Sequence, residues 1–223
     1  MSGFLIDLHC HTLEHSYDGQ VPAGEICRAT LAKGFNGIAF TDHSYVWPEE
    51  ELSELHHEAG LPEHFRLFSG QEVRTAREGI VRGDLLVFGV PECLPDDTEP
   101  GEVFRLISQH GGFCLAPHPG VPRIGFEEDL GNFPILAAES WNGRYGKEVA
   151  RRSRLLIDAY GLPEFGGSDA HRREEIAGGG TLFPIMPEDL AGIAHMLHRG
   201  MGTPWAPSSM DRMRRWLKRQ MPT

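Results

Sequence analysis

The sequence predicts an α/β protein built as a distorted seven-unit (β/α) barrel, and three observations carry that prediction. About seven short apolar runs follow one another between residues 4 and 167, mostly separated by helical stretches, an alternation that implies parallel β-α units. The runs are continuously apolar, which implies burial on both faces of the sheet. Finally, His9, His11, His43, Glu72, His118, Glu139, Asp169 and His171 fall at or just past the C-terminal ends of the runs. A doubly wound sheet would satisfy the first two observations. The third favours a barrel, in which all those ends converge on one rim.

The first run, Phe4-Leu5-Ile6, leads into Asp7-Leu8-His9-Cys10-His11. Alternate residues of a strand share a face, so His9 and His11 point one way and Cys10 the other, as a packing residue. Two imidazoles so placed can hold one metal ion. A lone pair of this spacing is equally a pair of surface histidines, and partners elsewhere decide between the two. A polar loop through His15-Ser16-Tyr17-Asp18-Gly19 follows, then a helix opened by Pro22 and stopped near Gly34. Gly37 to Phe40 ends at Thr41-Asp42-His43, and an acidic helix spans about Pro48 to Ala59. Strands are expected from about Phe65 to Val73, which contains Gly70-Gln71-Glu72, and over Leu85 to Phe88. A helix from about Glu102 to His110 leads into Phe113 to Ala116 and then Pro117-His118-Pro119. Pro134 to Glu139, a helix from about Gly146 to Tyr160, and Glu164 to His171 complete the series. Gly178-Gly179-Gly180 reads as a flexible loop, too bare to cradle a phosphate. Helices are expected over about 187–221, where Met210, Met213, Trp216 and Leu217 recur at helical spacing among basic residues.

Composition narrows the options. At 223 residues, with 40% hydrophobic and 24% charged residues, the chain suits one sizeable core, and one domain over 1–223 is expected. A formal charge of −11 argues against a general electrostatic grip on nucleic acid. Cys10, Cys27, Cys93 and Cys114 show no CxxC spacing, and no cleavable apolar leader precedes the first strand, so a reduced, cytoplasmic protein is expected. No apolar run approaches the roughly 20 residues that span a bilayer.

Taken in order, His9-Cys10-His11, Asp18-Gly19, Thr41-Asp42-His43, Gly70-Gln71-Glu72, Pro117-His118-Pro119 and Gly167-Ser168-Asp169-Ala170-His171 resemble the polymerase and histidinol phosphatase (PHP) superfamily of metal-dependent phosphoesterases. Each motif is common alone; the ordered set, from Asp7 to about His171, is specific. The resemblance implies a distorted seven-stranded β/α barrel with its metal site at the C-terminal rim. It also implies a ligand set: His9, His11, Glu72 and Asp169 around one metal, Glu72 bridging to a second held with His118, and Asp18, His43 and His171 around a third. Two or three divalent ions are therefore expected, and mixed imidazole and carboxylate ligands suit zinc, manganese or iron. Where many relatives carry a histidine before the fourth run, this chain has Asp84, which would either ligate the second metal or orient a ligand through a hydrogen bond. The loop between His11 and Asp18 is longer than in several relatives and leaves His15 as a rival for the third metal.

Other residues keep two readings. Glu139 would be a ligand, a general base or a structural acceptor. Arg144 and Arg173 would clamp a phosphate or form surface salt bridges, and Arg123 is a weaker candidate of the same kind. The pairs His56/His57 and His195/His198 read as solvated or packing residues. Trp141 would stack on a base or ring, or pack in the rim.

The resulting expectation is hydrolysis of a small phosphomonoester, with His43, Glu72, Asp169 and His171 as the catalytic set and His43 or His171 placed to give the leaving alkoxide its proton. A phosphodiesterase or small exonuclease is the alternative, and a silent metal-binding regulatory module the third reading. The expected partner is a small phosphorylated substrate, with nucleic acid only as a nucleotide or short oligonucleotide, no membrane, and the oligomeric state open.

Overall fold

A computed structural model describes residues 3–127 and 129–207. The expected helix over 208–221 lies outside the described residues. The chain runs β1 (Phe4–Asp7), α1 (Ala23–Leu31), β2 (Gly37–Phe40), α2 (Glu49–Glu58), β3 (Arg66–Arg77), β4 (Ile80–Phe88), α3 (Pro100–His110), β5 (Phe113–Ala116), β6 (Ala137–Asn142), α4 (Lys147–Tyr160), β7 (Glu164–Gly167), β8 (Gly180–Phe183), α5 (Leu190–His198) and β9 (Thr203–Trp205). Local chemistry sets several ends: Pro100 opens α3 with its fixed φ, while Gly111 and Gly161 close α3 and α4 in the left-handed region.

The seven expected runs all become strands of one nearly closed sheet, but the repeat is not a uniform (β/α)7. The sheet has nine strands in the order β7-β6-β5-β4-β3-β2-β1-β8-β9. β3 and β4 form an antiparallel hairpin, not a crossover, turning at Glu78 and Gly79, both with positive φ. Two successive positive-φ residues make the turn whose twist matches a hairpin. β8 and β9 are additions, β8 pairing antiparallel with β1. The Gly178–Gly180 run is buried and close-packed instead of a flexible loop: a Cβ at Gly179 would meet the Gly167 carbonyl oxygen.

Closure occurs at the rim. The backbone past β7 pairs with the backbone past β1 through Asp169 N–H to the His9 carbonyl at 2.8 Å and His11 N–H to the Ala170 carbonyl at 3.0 Å. Lower down, Thr181 Oγ1 links β8 to both backbone groups of Gly166 in β7. The barrel interior is filled by Ile6, Leu8, Ala39, Phe68, Leu86, Phe88, Leu115, Ala137 and Phe165, against which α5 packs Ile193, Met196 and Leu197. Each such large side chain contributes about 1.5–3 kcal/mol on burial. That anchorage makes the strand ends a rigid platform for side chains above them.

Candidate metal centre

His9 and His11 do share a direction, with ring centroids 5.2 Å apart, and Cys10 turns into a separate apolar cluster. Their Nε2 atoms come within 3.2 Å of one another. Glu72 projects from β3 between them: its Oε2 lies 3.0 Å from His11 Nε2 and 3.4 Å from His9 Nε2, and its Oε1 lies 3.1 Å from His118 Nε2. Asp169 Oδ1 is 3.6 Å from both His9 and His11 Nε2. Asp18, from the loop after β1, reaches His171 Nε2 at 3.0 Å and His43 Nε2 at 3.6 Å. Three donor sets result: His11, Asp18, His43 and His171; His9, Glu72 and His118; and His9, His11 and Asp169.

The backbone is shaped to make this possible. Gly167 lets β7 run close beside β1, since a Cβ there would lie 2.5 Å from that of His9. His118 and Asp169 both adopt positive φ, 32° and 51°, conformations costly for non-glycine residues that cluster at functional sites. Supporting hydrogen bonds fix the imidazoles. Ser16 Oγ lies 3.0 Å from His11 Nδ1 and accepts from the His43 backbone N–H at 3.0 Å. Glu139 approaches His9 Nδ1 at 3.3 Å and accepts from His118 N–H and Asn142 Nδ2, each at 2.8 Å. Glu139 thus stands behind the donor sets as an acceptor.

The donor chemistry fits divalent ions. Two imidazole nitrogens facing each other at 3.2 Å share at most one proton between them, and a divalent cation in that position would accept both lone pairs at once. Asp18 Oδ1, His43 Nδ1 and His118 Nδ1 are buried without a hydrogen-bond partner. With protons as the only cations, the charges divide unevenly. Burial opposes protonation of His9, but Asp169, Glu72 and Glu139 outweigh it and hold its pKa well above the usual value. Burial pushes His11 down to about 4. Burial likewise opposes ionisation of Glu72 and Asp18, yet His9 and hydrogen bonds from His11 and His118 hold Glu72 well below the usual carboxylate range, and His171 and His43 hold Asp18 at about 2. Anionic carboxylates beside a neutral imidazole are the protonation states that metal ligands require.

The remaining expected residues divide. Asp84 is buried on β4 and lines the cavity, raised to about 6 by burial and by Glu72, with its Oδ1 3.2 Å from Arg74 Nε; it joins none of the three donor sets among the described residues. Arg144 places Nη1 3.1 Å from His171 Nδ1 and 3.7 Å from Asp169 Oδ1, at the cavity wall. Arg173 lies elsewhere: its side chain is 73% exposed and pairs with Glu25 at 2.7 Å. His15 stacks on Tyr45 at 3.6 Å and pairs with Glu51, apart from the donor sets. The cavity above the cluster, about 160 Å³, is also lined by Tyr17, Arg74 and Tyr145. Sequence reasoning missed these and Asn142. Arg74 was within reach, since it sits two residues past Glu72 and so on the same strand face.

Comparison with known sequences agrees with the geometry. A sequence model of the PHP domain matches residues 7–114, and a PHP-associated model matches residues 148–200. The chain belongs to the PHP family. A curated relative, the uncharacterised Methanocaldococcus jannaschii protein MJ1587, is 26% identical over 125 residues, covering 52% of this chain and 68% of that protein. Among solved structures, PsfC from Pseudomonas syringae matches at 18% identity over 99% of each chain, with a TM-score of 0.69. A candidate metal-dependent phosphoesterase from Bifidobacterium adolescentis matches at 18% identity over 87% of this chain and 96% of its own, with a TM-score of 0.61. The lesion-specific endonuclease Q of Pyrococcus furiosus matches at 14% identity and a TM-score of 0.64, over 92% of this PHP chain and 58% of the endonuclease. The PHP barrel is thus shared with a lesion-specific endonuclease, so the fold does not support the expectation, drawn from the acidic charge and the lack of a basic, aromatic-laced stretch, that nucleic acid is acted on only as a nucleotide or short oligonucleotide. Among the described residues, no helix is long and apolar enough to cross a membrane.

Proposed function

We propose that this PHP protein is a metal-dependent phosphoester hydrolase whose scissile group is a terminal phosphate. The observation that carries the reading is the pairing of a ligand cluster with a small polar cavity walled by two guanidinium groups, Arg74 and Arg144. Guanidinium forks recognise phosphate oxygens with fixed geometry. A volume of about 160 Å³ suits a phosphate with little more attached, which favours a monoester over the middle of a polymer.

Two or three zinc, manganese or iron ions held by His9, His11, Asp18, His43, Glu72, His118, Asp169 and His171 would supply Lewis acidity and an activated water at neutral pH. The chain's own residues do the rest. Arg144 and Arg74 neutralise and orient the phosphate oxygens. Glu139 and Asn142 keep His9, His118 and Asp169 aimed inward. With two ions bound by the other ligands, His43 and His171, beside Asp18, stay free of metal and give a proton to the departing alkoxide; a third ion held there would neutralise its charge instead.

A second reading, hydrolysis within nucleic acid, is favoured by the likeness to endonuclease Q. Chelated protein reconstituted separately with manganese, zinc and iron, then assayed on p-nitrophenyl phosphate, a sugar phosphate, a nucleotide and the diester bis-p-nitrophenyl phosphate, tests both. Monoester turnover above diester turnover supports the first; the reverse order supports the second.

A further inference from the structure

A second concave surface lies on the outer flank of the rim: a groove of about 360 Å³ lined by Trp141, Lys147, Ala150, Arg151, Arg154 and Leu155. Its charge is anomalous for this chain. Residues 144–154 hold five of the 21 basic residues and one of the 32 acidic ones, in a protein of net charge −11. Lys147, Arg151 and Arg154 recur at i, i+4 and i+7, so they line one face of α4 along about 10 Å of its axis. Lys147 and Arg154 make no ion pair among the described residues. Arg151 pairs only with Glu148, one turn away and largely exposed, a contact that a stronger anion displaces easily.

The floor of the groove is apolar and aromatic. Strand alternation turns Asn142 to the metal centre and Trp141 to α4, and Trp141 Nε1–H donates to the Gly178 carbonyl at 3.0 Å, fixing the ring. Leu155 leaves 57% of its surface exposed beside it. The groove also adjoins the cavity. Arg144 and Tyr145 line the cavity, Lys147 lines the groove, and between them stands Gly146, where a Cβ would meet nothing within 4 Å. The two linings thus come within two residues of each other along the chain.

We propose that the groove binds single-stranded nucleic acid, with a base against Trp141, backbone phosphates along Lys147, Arg151 and Arg154, and the strand's terminal phosphate in the cavity. An aromatic platform beside an evenly spaced row of cations is the arrangement that single strands exploit, stacking and phosphate contact acting together. The placement of the terminal phosphate rests on the function proposed above; binding in the groove does not.

The test is fluorescence anisotropy of a labelled, phosphorothioate-linked single-stranded dodecamer bearing a terminal thiophosphate, with metal-loaded protein across a salt series. Combined Lys147→Glu and Arg154→Glu should weaken binding at least about tenfold and flatten its salt dependence, while thermal stability and turnover on p-nitrophenyl phosphate stay unchanged. Trp141→Phe should weaken binding several-fold and abolish strand-induced quenching of tryptophan emission. Absence of wild-type binding at low salt, or equal binding by the charge-reversed protein, overturns the proposal. So does heparin matching the strand with no loss on Trp141→Phe, which marks a general polyanion surface. If the groove variants lose binding but wild-type protein hydrolyses no phosphoester, the hydrolase reading fails and this one stands.

Discussion

Glu72 Oε1 lies 3.1 Å from His118 Nε2 while the other oxygen of the same carboxylate faces His9 and His11. One carboxylate therefore joins His118 to the His9–His11 pair through its two oxygens, the arrangement a bridging ligand needs. Glu72→Ala should remove at least one equivalent of bound metal and lower turnover by more than about a hundredfold, beyond the tenfold to hundredfold typical of residues behind the ligands. His118→Ala should remove one equivalent only. Elemental analysis of both variants checks this, and an unchanged metal content in Glu72→Ala would count against the bridging role.

Glu139 touches three groups that position the centre without joining a donor set. Glu139→Gln should keep the metals at saturating concentration but weaken their affinity by about tenfold to a hundredfold. Titration of chelated protein with manganese, followed by activity, reads that shift. Affinity equal to the parent's would show that Glu139 does not orient His9 or His118.

Asp84 holds Arg74 over the cavity through a 3.2 Å contact. If that is its main role, Asp84→Asn should retain the full metal content and raise KM for a phosphate ester more than it lowers kcat, because Arg74 loses its anchor. Loss of a whole metal equivalent would instead identify Asp84 as a direct ligand.

Asp7 gives a pH signature. Its carboxylate accepts from the Ser168 and His9 backbone N–H groups, but burial pushes its pKa from 3.8 up to about 7. The neutral form is favoured when folded, so its contribution is fully present below the unfolded value and is lost as pH rises towards 7. The upper bound is about 4 kcal/mol, roughly three pH units at about 1.4 kcal/mol each. In chelated protein, the thermal midpoint of Asp7→Asn relative to the parent should therefore climb between pH 4.5 and 7.5. A difference that does not vary with pH would mean that Asp7 ionises normally in the fold.

Much of this was legible in the sequence because the site hangs on local rules. Apolar runs followed by His9, His11, His43, His118 and Asp169 mark strand ends directly, and the period of two put His9 and His11 on one side. The hairpin of β3 and β4 was missed because Leu85 to Phe88 reads as another buried strand, although Glu78-Gly79 carries the turn chemistry that signals reversal. Gly178–Gly180 reads locally as a loop and becomes rigid only through contacts with Gly167 and Trp141. Arg173 and Arg144 look alike in sequence. Only tertiary placement sends one to Glu25 and the other to Asp169. Tyr17 and Tyr145 carry no motif, and their place at the cavity comes from loops whose paths no periodicity encodes.

The central claim is that these side chains hold catalytic metal ions. Elemental analysis of protein purified without chelator, coupled to phosphoester turnover before and after chelation and readdition of manganese, zinc or iron, tests it directly. Two or three ions per chain, with turnover lost on chelation and restored by at least one of those metals, is the predicted result. Well under one ion per chain, or hydrolysis indifferent to chelation, would contradict it.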